Sequence, residues 1–439
     1  MIRRARCLRT AAATLAVAGT VVACTHSSND RRPTPTPPRS TQAGTVHVLG
    51  LWSGPEFDSF DAVRTSWESS TGRVVDWQDS QDPASDLTAA IAAGHPPDIA
   101  VLPNLAVLHR LARAGKLVPL DSVLDHRSLE RDYSPAWRAL GSDAGRPYGI
   151  FYKVSSKSTV WYSPRAFASS GYRVPRTWAA MTALADRIRA DHRTPFSIVA
   201  AQGPAAGWAL TDWVASIVLN RCGPAAYDRW VAGELPWTSA CVAASFRQFL
   251  ELVQTKGYVH GGVDGIIAGT DSAGTYPLYS KPPAAYLYYL SSFAQAFIAE
   301  KYPDLRPGPD YAFFPFPTID PRYRGSVLVG ADIVVMTHDT PAARSFLSYL
   351  AGPEAQERWI RRGGFTSVNR RVPLTDYPDA VARDVARQLT TATTVRFAAG
   401  DSLPASVQQA WWRAMLELVQ DPGRLLAELA SLTAAARDA

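Results

Sequence analysis

The sequence is poor in the residues and motifs that metal, nucleotide and nucleophilic chemistry require. None of its eight histidines has another histidine at zinc-ligand spacing. The motifs G-x-S-x-G, H-E-x-x-H, the P-loop and C-x-x-C are also absent. After the first 23 residues, no apolar run approaches the roughly 18 residues that a membrane span needs. The sequence therefore predicts no metal, no cofactor and no later membrane crossing.

The chain also lacks a strong excess of either charge. The 439 residues carry a formal charge of +6, of which four arginines lie in the first nine residues, leaving +2 for the rest. A balance so close to neutral gives no support to nucleic-acid binding. With 46% hydrophobic residues, the chain can bury a large core and divide into two domains.

The N-terminus has the pattern of an export signal. The arginine-rich start is followed by an apolar run from Ala11 to Ala23, which predicts a signal peptide over residues 1–23. The sequence Val-Val-Ala-Cys ending at Cys24 resembles a bacterial lipobox, which implies lipidation of Cys24 and anchoring at the cell membrane. The alternative is an ordinary secretory signal that happens to end near a cysteine. Residues 24–44, rich in Ser, Thr and Pro, then form the anchor and a disordered tether.

Cysteine is scarce. Cys7 is removed with the signal peptide and Cys24 carries the lipid, so Cys222 and Cys241 remain. In an oxidising compartment the two are expected to form a disulfide. A metal pair is the less favoured alternative, because no histidine lies near either cysteine.

Strand and helix signals alternate from Thr45 onward. Short apolar runs predict strands, and between them lie segments with helical periodicity, including Leu105–Ala114, with a leucine face, and a helix capped by Ser85. This order predicts an α/β fold with a parallel sheet.

These segments carry a family resemblance. In order they resemble family 1 extracellular solute-binding proteins, the sugar-binding receptors of ATP-driven importers, and the likeness covers nearly the whole mature chain. The chain is most similar to the branch that binds α-glucosides and trehalose. The segments that carry the resemblance include TVHVLGLWSGPE (45–56), LTAAIAAGHPPD (87–98), YGIFYK (148–153), GWALTDW (207–213), PPAAY (282–286), GADIVVM (330–336) and GGFTSVN (363–369).

The resemblance implies a two-lobed periplasmic-binding-protein fold with hinge crossings. One lobe would comprise residues 45–150 plus 331–365, and the other residues 151–330 plus 366–439. The crossings would lie near Tyr148–Lys153, Ser326–Ala331 and Phe365–Asn369. It further implies a monomeric extracytoplasmic receptor that closes on a sugar, an α-glucoside or another disaccharide or oligosaccharide, and presents it to ABC permease subunits.

Sugar sites need aromatic platforms and polar partners, and the chain has 13 Trp, 17 Tyr and 15 Phe. In the first lobe, four polar residues follow predicted strands, where open α/β sheets place ligand groups. Glu56 could equally complement a helix dipole, and Asp79 or Asp82 could lie in a solvated loop. Asn104 is favoured as a helix cap.

The second lobe offers two aromatic segments. Trp208, Asp212 and Trp213 form one candidate group, with a helix start and buried tryptophans as the alternative. The other segment is Ala284–Phe293, in which strand alternation must bury about half of the aromatic residues. Its binding candidates are Tyr289, Ser292 and Phe293.

The remaining candidates lie at the crossings and near the C-terminus. Arg396 and Asp401 are predicted to form a hydroxyl clamp, with a simple ion pair as the alternative. Trp412 corresponds to a position that stacks on sugar in related receptors, although VQQAWW (407–412) departs from the branch pattern. At the crossings the candidates are Gly330, Asp332 and Phe365, because small residues in these segments would let backbone groups approach the sugar. Asp332 could bind the ligand or orient the hinge.

A secreted carbohydrate-active enzyme such as a glycoside hydrolase is the competing function, since it would also need carboxylates and aromatics. A surface adhesin is the third class. The missing catalytic motifs favour a receptor without enzyme activity.

Overall fold

The computed structural model describes residues 44–438, which form a six-stranded, a four-stranded and a two-stranded β-sheet with flanking helices. The predicted signal peptide, Cys24 and the tether as far as residue 43 lie outside the described residues. The strands are β1 (Thr45–Gly50), β2 (Val74–Asp79), β3 (Ile99–Leu102), β4 (Ser142–Asp143), β5 (Arg146–Pro147), β6 (Gly149–Ser156), β7 (Thr159–Tyr162), β8 (Phe196–Ser197), β9 (Leu287–Tyr289), β10 (Ala312–Pro315), β11 (Ser326–Met336) and β12 (Thr394–Phe397).

The helices alternate with these strands in the first third of the chain and dominate later. They are α1 (Gly54–Thr71), α2 (Pro83–Ala92), α3 (Leu105–Arg113), α4 (His126–Asp132), α5 (Pro135–Leu140), α6 (Pro164–Ser170), α7 (Trp178–Ala190), α8 (Trp208–Cys222), α9 (Pro224–Val231), α10 (Ala240–Gln254), α11 (Gly262–Ala268), α12 (Tyr276–Tyr279), α13 (Ala294–Lys301), α14 (Pro341–Ala351), α15 (Pro353–Ile360), α16 (Ala380–Thr391), α17 (Ala405–Gln420) and α18 (Leu425–Arg437). None of the helices described here is both long and apolar enough to span a membrane.

The first sheet has the strand order β12-β11-β3-β1-β2, and β6 pairs with β11. Strand β1 is parallel to β2 and β3, as the alternation of strands and helices predicts. Strand β11 runs antiparallel to β3 and β6, so the whole sheet is mixed. The α/β class is confirmed.

The sequence patterns in this region predict helix α3 correctly but place the start of helix α2 too late. Helix α3 buries Leu105, Leu108 and Leu111, as its periodicity predicts. The Ser85 cap is wrong, because α2 begins earlier, at Pro83. The side chain of Asp82 caps it by accepting a hydrogen bond from the Ser85 backbone N–H at 3.1 Å.

The second sheet has the order β10-β7-β9-β8, and it is covered by helices that include α8, α10 and α17. Helix α8 is buried along nearly its whole length. The predicted disulfide between Cys222 and Cys241 is present and joins the end of α8 to the start of α10.

Each of the two larger sheets has its own main hydrophobic core. The first core draws on residues 46–154 and 327–397, and the second on residues 160–328 and 398–432. Strands β6 and β11 run between the cores. The third change of core lies between Phe397 and Ala398, not at Phe365–Asn369, because Phe365 and Val368 pack in the first core.

Candidate functional site

The paired crossing strands carry an ordered row of polar residues. In the register of β6 and β11, Lys153 is opposite Asp332 and Ser155 is opposite Gly330. The chain stays extended beyond β6, since the Lys157 N–H donates to the Leu328 carbonyl at 2.7 Å. Because side chains alternate along a strand, Lys153, Ser155 and Lys157 share one face.

The first lysine belongs to a charged cluster attached to the first core. Its Nζ lies 2.5 Å from Glu56 Oε1 and 3.7 Å from Asp332 Oδ2. The indole N–H of Trp52, which is fully buried, donates to Asp332 Oδ2 at 2.8 Å. Burial raises the pKa of Asp332, against the opposing effect of Lys153. Burial alone would lower the pKa of Lys153, but the two carboxylates raise it overall.

The second lysine belongs to a matching cluster attached to the second core. Lys157 Nζ lies 2.8 Å from Asp401 Oδ2 and 3.1 Å from Asp212 Oδ2. It also lies 5.5 Å from the ring centroid of Trp208, within cation–π range. Burial alone would lower the pKa of Lys157, but the carboxylates of Asp212 and Asp401 raise it overall. We call these groups the Lys153 cluster (Lys153, Glu56, Asp332) and the Lys157 cluster (Lys157, Asp212, Asp401).

Asp212 should make stability depend on pH. Burial raises its pKa from 3.8 to about 6, although Lys157 acts to lower it. The folded state therefore holds this proton more tightly than the unfolded chain, and the stabilisation is full below pH 4 and is lost as the pH rises through 6. Asp212→Asn removes this titration. We expect the unfolding free energy of the wild type to fall relative to the variant by on the order of 2 to 3 kcal/mol between pH 4 and 7.

Urea unfolding at pH 4, 5, 6 and 7 measures this difference, with Asp304→Asn, at an exposed position, as the control. If the wild type and Asp212→Asn differ in unfolding free energy by the same amount at every pH, the raised pKa of Asp212 is contradicted.

Aromatic side chains border the Lys157 cluster. The rings of Trp208 and Phe293 lie 6.1 Å apart, and both are partly exposed. Ser292 binds the crossing strand, since its hydroxyl accepts from the Ser156 N–H at 3.1 Å. Trp412 is half-buried. Its carbonyl would lie only 2.4 Å from a Cβ at Gly207, whose φ of +104° also favours glycine.

Two predicted aromatic contacts belong to the second core instead. Trp213 and Tyr289 are buried, with their ring centroids 4.5 Å apart. Trp213 is therefore a core residue, as the alternative interpretation of its segment expected. The Tyr289 hydroxyl donates to the carbonyls of Lys157, at 2.5 Å, and Asp212, at 3.0 Å. These residues therefore support the Lys157 cluster from behind.

Phe365 is likewise a core residue. Its ring packs on Tyr152 and Trp359 in the first core, at centroid distances of 5.0 and 5.1 Å. It presents no face to a ligand, because the aromatic neighbours cover it.

The predicted clamp between Arg396 and Asp401 does not form. Arg396 binds Asp228 through two nitrogens, with Nη2 at 2.7 Å from Oδ2, while Asp401 binds Lys157. A fork so engaged is not available for vicinal hydroxyls.

Three polar candidates of the first lobe make no ion pair with Lys153 or Lys157 in the described part of the chain. Asp79 is exposed at the end of β2. Asp82 caps α2, and the hydrogen bonds from Ser85 lower its pKa. Asn104 caps α3 by accepting from the Val107 N–H at 3.3 Å, as favoured from the sequence.

Sequence reasoning missed the residues at the centre, namely Lys153, Lys157, Ser155 and Trp52. One signal was present: Lys153 ends the segment that the resemblance marks as a crossing, and Lys157 follows it four residues later. Even spacing in a strand places both lysines on one face.

Comparisons with known proteins agree with this architecture. The family model described as bacterial extracellular solute-binding protein matches residues 59–357. The osmoprotective compounds-binding protein GgtB of Synechocystis sp. is 32% identical over 375 residues, which cover 85% of this chain and 88% of GgtB. The alpha-glucosides-binding periplasmic protein AglE of Rhizobium meliloti is 30% identical over 384 residues, which cover 85% of this chain and 83% of AglE.

Solved structures share the fold. The bacterial solute receptor AcbH, described as preferring β-D-galactopyranose, aligns with a TM-score of 0.76 and 21% identity over 90% of this chain and 98% of AcbH. RafE in complex with raffinose aligns with a TM-score of 0.65 and 15% identity over 89% of this chain and 98% of RafE. At these identities the likeness establishes the two-lobed fold alone.

Proposed function

This chain belongs to the family of bacterial extracellular solute-binding proteins, and on that basis we propose that it is a sugar receptor of an ABC importer. The family consists of binding receptors, in agreement with the prediction that the chain is not an enzyme. The observation that carries the proposal is the pair of lysine clusters, one attached to each core, on either side of Gly330. Carboxylates beside partly exposed aromatic rings suit a ligand with hydroxyls and apolar C–H faces.

In this proposal the receptor works as a monomer that closes on its ligand. One lobe contains the first core and the other the second, with crossings at β6, β11 and Phe397–Ala398. A sugar that contacts both clusters is bound more tightly in the closed state, so binding shifts the population toward closure. The closed form is then presented to the permease subunits.

We propose an α-glucoside, or another disaccharide or oligosaccharide, as the ligand. Support comes from the name of AglE, which binds alpha-glucosides, and from that of GgtB, which binds osmoprotective compounds. Trp208 and Phe293 are the proposed stacking platform, together with Trp412, because each is accessible enough to meet a sugar face.

We further propose that a lipid on Cys24 holds the receptor at the outer face of the cell membrane. Anchoring raises its effective concentration near the permease. Cys24→Ala should release the protein into the medium or leave an unprocessed precursor, because the alanine side chain cannot accept the lipid. Immunoblots of cell and medium fractions measure this. Cys7→Ala is the control, and a variant that remains membrane-bound and fully processed would contradict the anchor.

Thermal unfolding with a panel of neutral mono-, di- and oligosaccharides tests the main proposal. A cognate sugar at about 100 times its Kd should raise the unfolding free energy by about 2.7 kcal/mol. The sugar should be recovered chemically unchanged. Hydrolysis of the sugar would favour the glycoside hydrolase instead, and no response to any sugar would contradict the receptor.

A further inference from the structure

The two lysine clusters have the same charged groups, namely one ammonium and two carboxylates. Each ammonium is shared by two carboxylates, at 2.5 and 3.7 Å for Lys153 and at 2.8 and 3.1 Å for Lys157. Two ammonium groups facing four carboxylates leave excess negative charge. The nearby Arg362 guanidinium is directed to the Ser59 hydroxyl, with Nε and Oγ 3.4 Å apart.

In each cluster one carboxylate is much more exposed to solvent than the other. The side chains of Glu56 and Asp401 are 47% and 33% exposed, whereas those of Asp332 and Asp212 are 13% and 6% exposed. The lysine side chains are also largely buried, at 20% and 10%. A ligand therefore meets a carboxylate in each cluster before it meets an ammonium.

Small residues stand between the two clusters along the paired strands. Ser155 lies between the two lysines on their common face and is partly exposed, and Gly330 is opposite it. A Cβ at Gly330 would lie 3.1 Å from Lys157 Cε and 3.8 Å from Asp401 Oδ2. The absence of a side chain at 330 leaves Lys157 and Asp401 uncrowded, and Ser155 stands opposite it on the neighbouring strand.

We propose, resting on the sugar-binding function above, that Glu56, Ser155 and Asp401 contact the ligand and that this site selects uncharged polyols against anionic derivatives. Lys153 and Lys157 are positioning residues. Each fixes the exposed carboxylate as an acceptor of ligand hydroxyl groups without itself binding the ligand. A phosphate or carboxylate on the sugar would face the excess negative charge, and such like-charge contacts weaken binding strongly.

Matched neutral and anionic sugars test the selectivity. Trehalose against trehalose 6-phosphate and maltose against maltobionate are titrated by calorimetry at low salt. We expect the anionic member to bind at least about tenfold more weakly, since like charges placed together cost several kcal/mol. Equal or tighter binding of the anionic member would overturn the inference while leaving the receptor function intact. If no neutral sugar of the panel binds, trehalose and maltose included, the proposed function itself is contradicted.

Charge-neutral variants identify the groups responsible. Glu56→Gln and Asp401→Asn should each weaken neutral-sugar binding about tenfold, because hydrogen bonds to charged groups are strong. Each should also reduce the preference for the neutral over the anionic sugar. Glu300→Gln, at an exposed position far along the chain, is the control. If both variants keep the full preference for the neutral sugar, Glu56 and Asp401 do not cause the selectivity, even if the affinity of the variants falls.

Separate variants test the roles of Ser155 and Lys153. Ser155→Ala should weaken binding several-fold at unchanged thermal stability, with Ser169→Ala on an exposed helix as its control. Lys153→Met should weaken binding, and Lys153→Arg should restore it, because a guanidinium can also hold Glu56. Full binding by Lys153→Met would show that the lysine does not position the carboxylate and would overturn that part.

Discussion

Lys157→Met is expected to lower the free energy of unfolding by about 3 to 5 kcal/mol, because it leaves a buried carboxylate without its partner. Asp212 and Asp401 would then face one another, with only Asp401 able to reach water. Sugar binding should fall as well, since Asp401 loses the ammonium that orients it. Urea unfolding at pH 7 and calorimetric titration measure the two effects.

Two further variants separate the loss of charge from the loss of a side chain. Lys256→Met removes an exposed lysine and should change the unfolding free energy by less than about 0.5 kcal/mol. Lys157→Arg retains the charge and should recover part of the stability. A Lys157→Met protein as stable as the wild type would contradict the buried ion pair.

The second large effect is expected on sugar binding. Gly330→Leu should abolish detectable sugar binding, because the side chain would occupy the space between the Lys153 and Lys157 clusters. Gly330→Ala should give a smaller loss, since its Cβ meets the flexible end of Lys157 at 3.1 Å. Calorimetric titration with the best sugar of the panel provides the measurement, and thermal unfolding shows that each variant is folded.

Gly423→Leu is the matched control, because its Cβ would be crowded to the same 3.1 Å, by Asp421, at the far C-terminal helices. It should bind sugar as the wild type does. A Gly330→Leu protein that is folded and binds normally would place the ligand elsewhere.

Local patterns predicted the parts of the fold that depend on neighbouring residues. The leucine spacing of α3 and the strand–helix alternation around β1, β2 and β3 are both local, and both are confirmed. The disulfide was also predictable, because only two cysteines lie outside the predicted signal peptide and lipidation site. The start of α2 was missed since Asp82 and Ser85 both fit a cap, and only the backbone geometry distinguishes them.

The site was harder to predict because its contacts are distant in sequence. Lys157 lies 55 positions from Asp212 and 244 positions from Asp401, so no spacing rule reveals the cluster. Arg396 pairs with Asp228, 168 positions away in sequence, and therefore does not form the predicted clamp with Asp401. Trp208 and Trp213 lie on one helix, and only packing shows that the first borders the site while the second is core.

Hydrogen–deuterium exchange with and without a saturating neutral sugar tests the central claim most directly. A ligand held between the two cores should protect backbone amides near Glu56 and Asp401 as well as in the crossing segments 153–157 and 328–332. Helix α18 should exchange at the same rate in both states. Protection confined to one core, or found only away from the crossing strands, would contradict a receptor that clamps its sugar across Gly330.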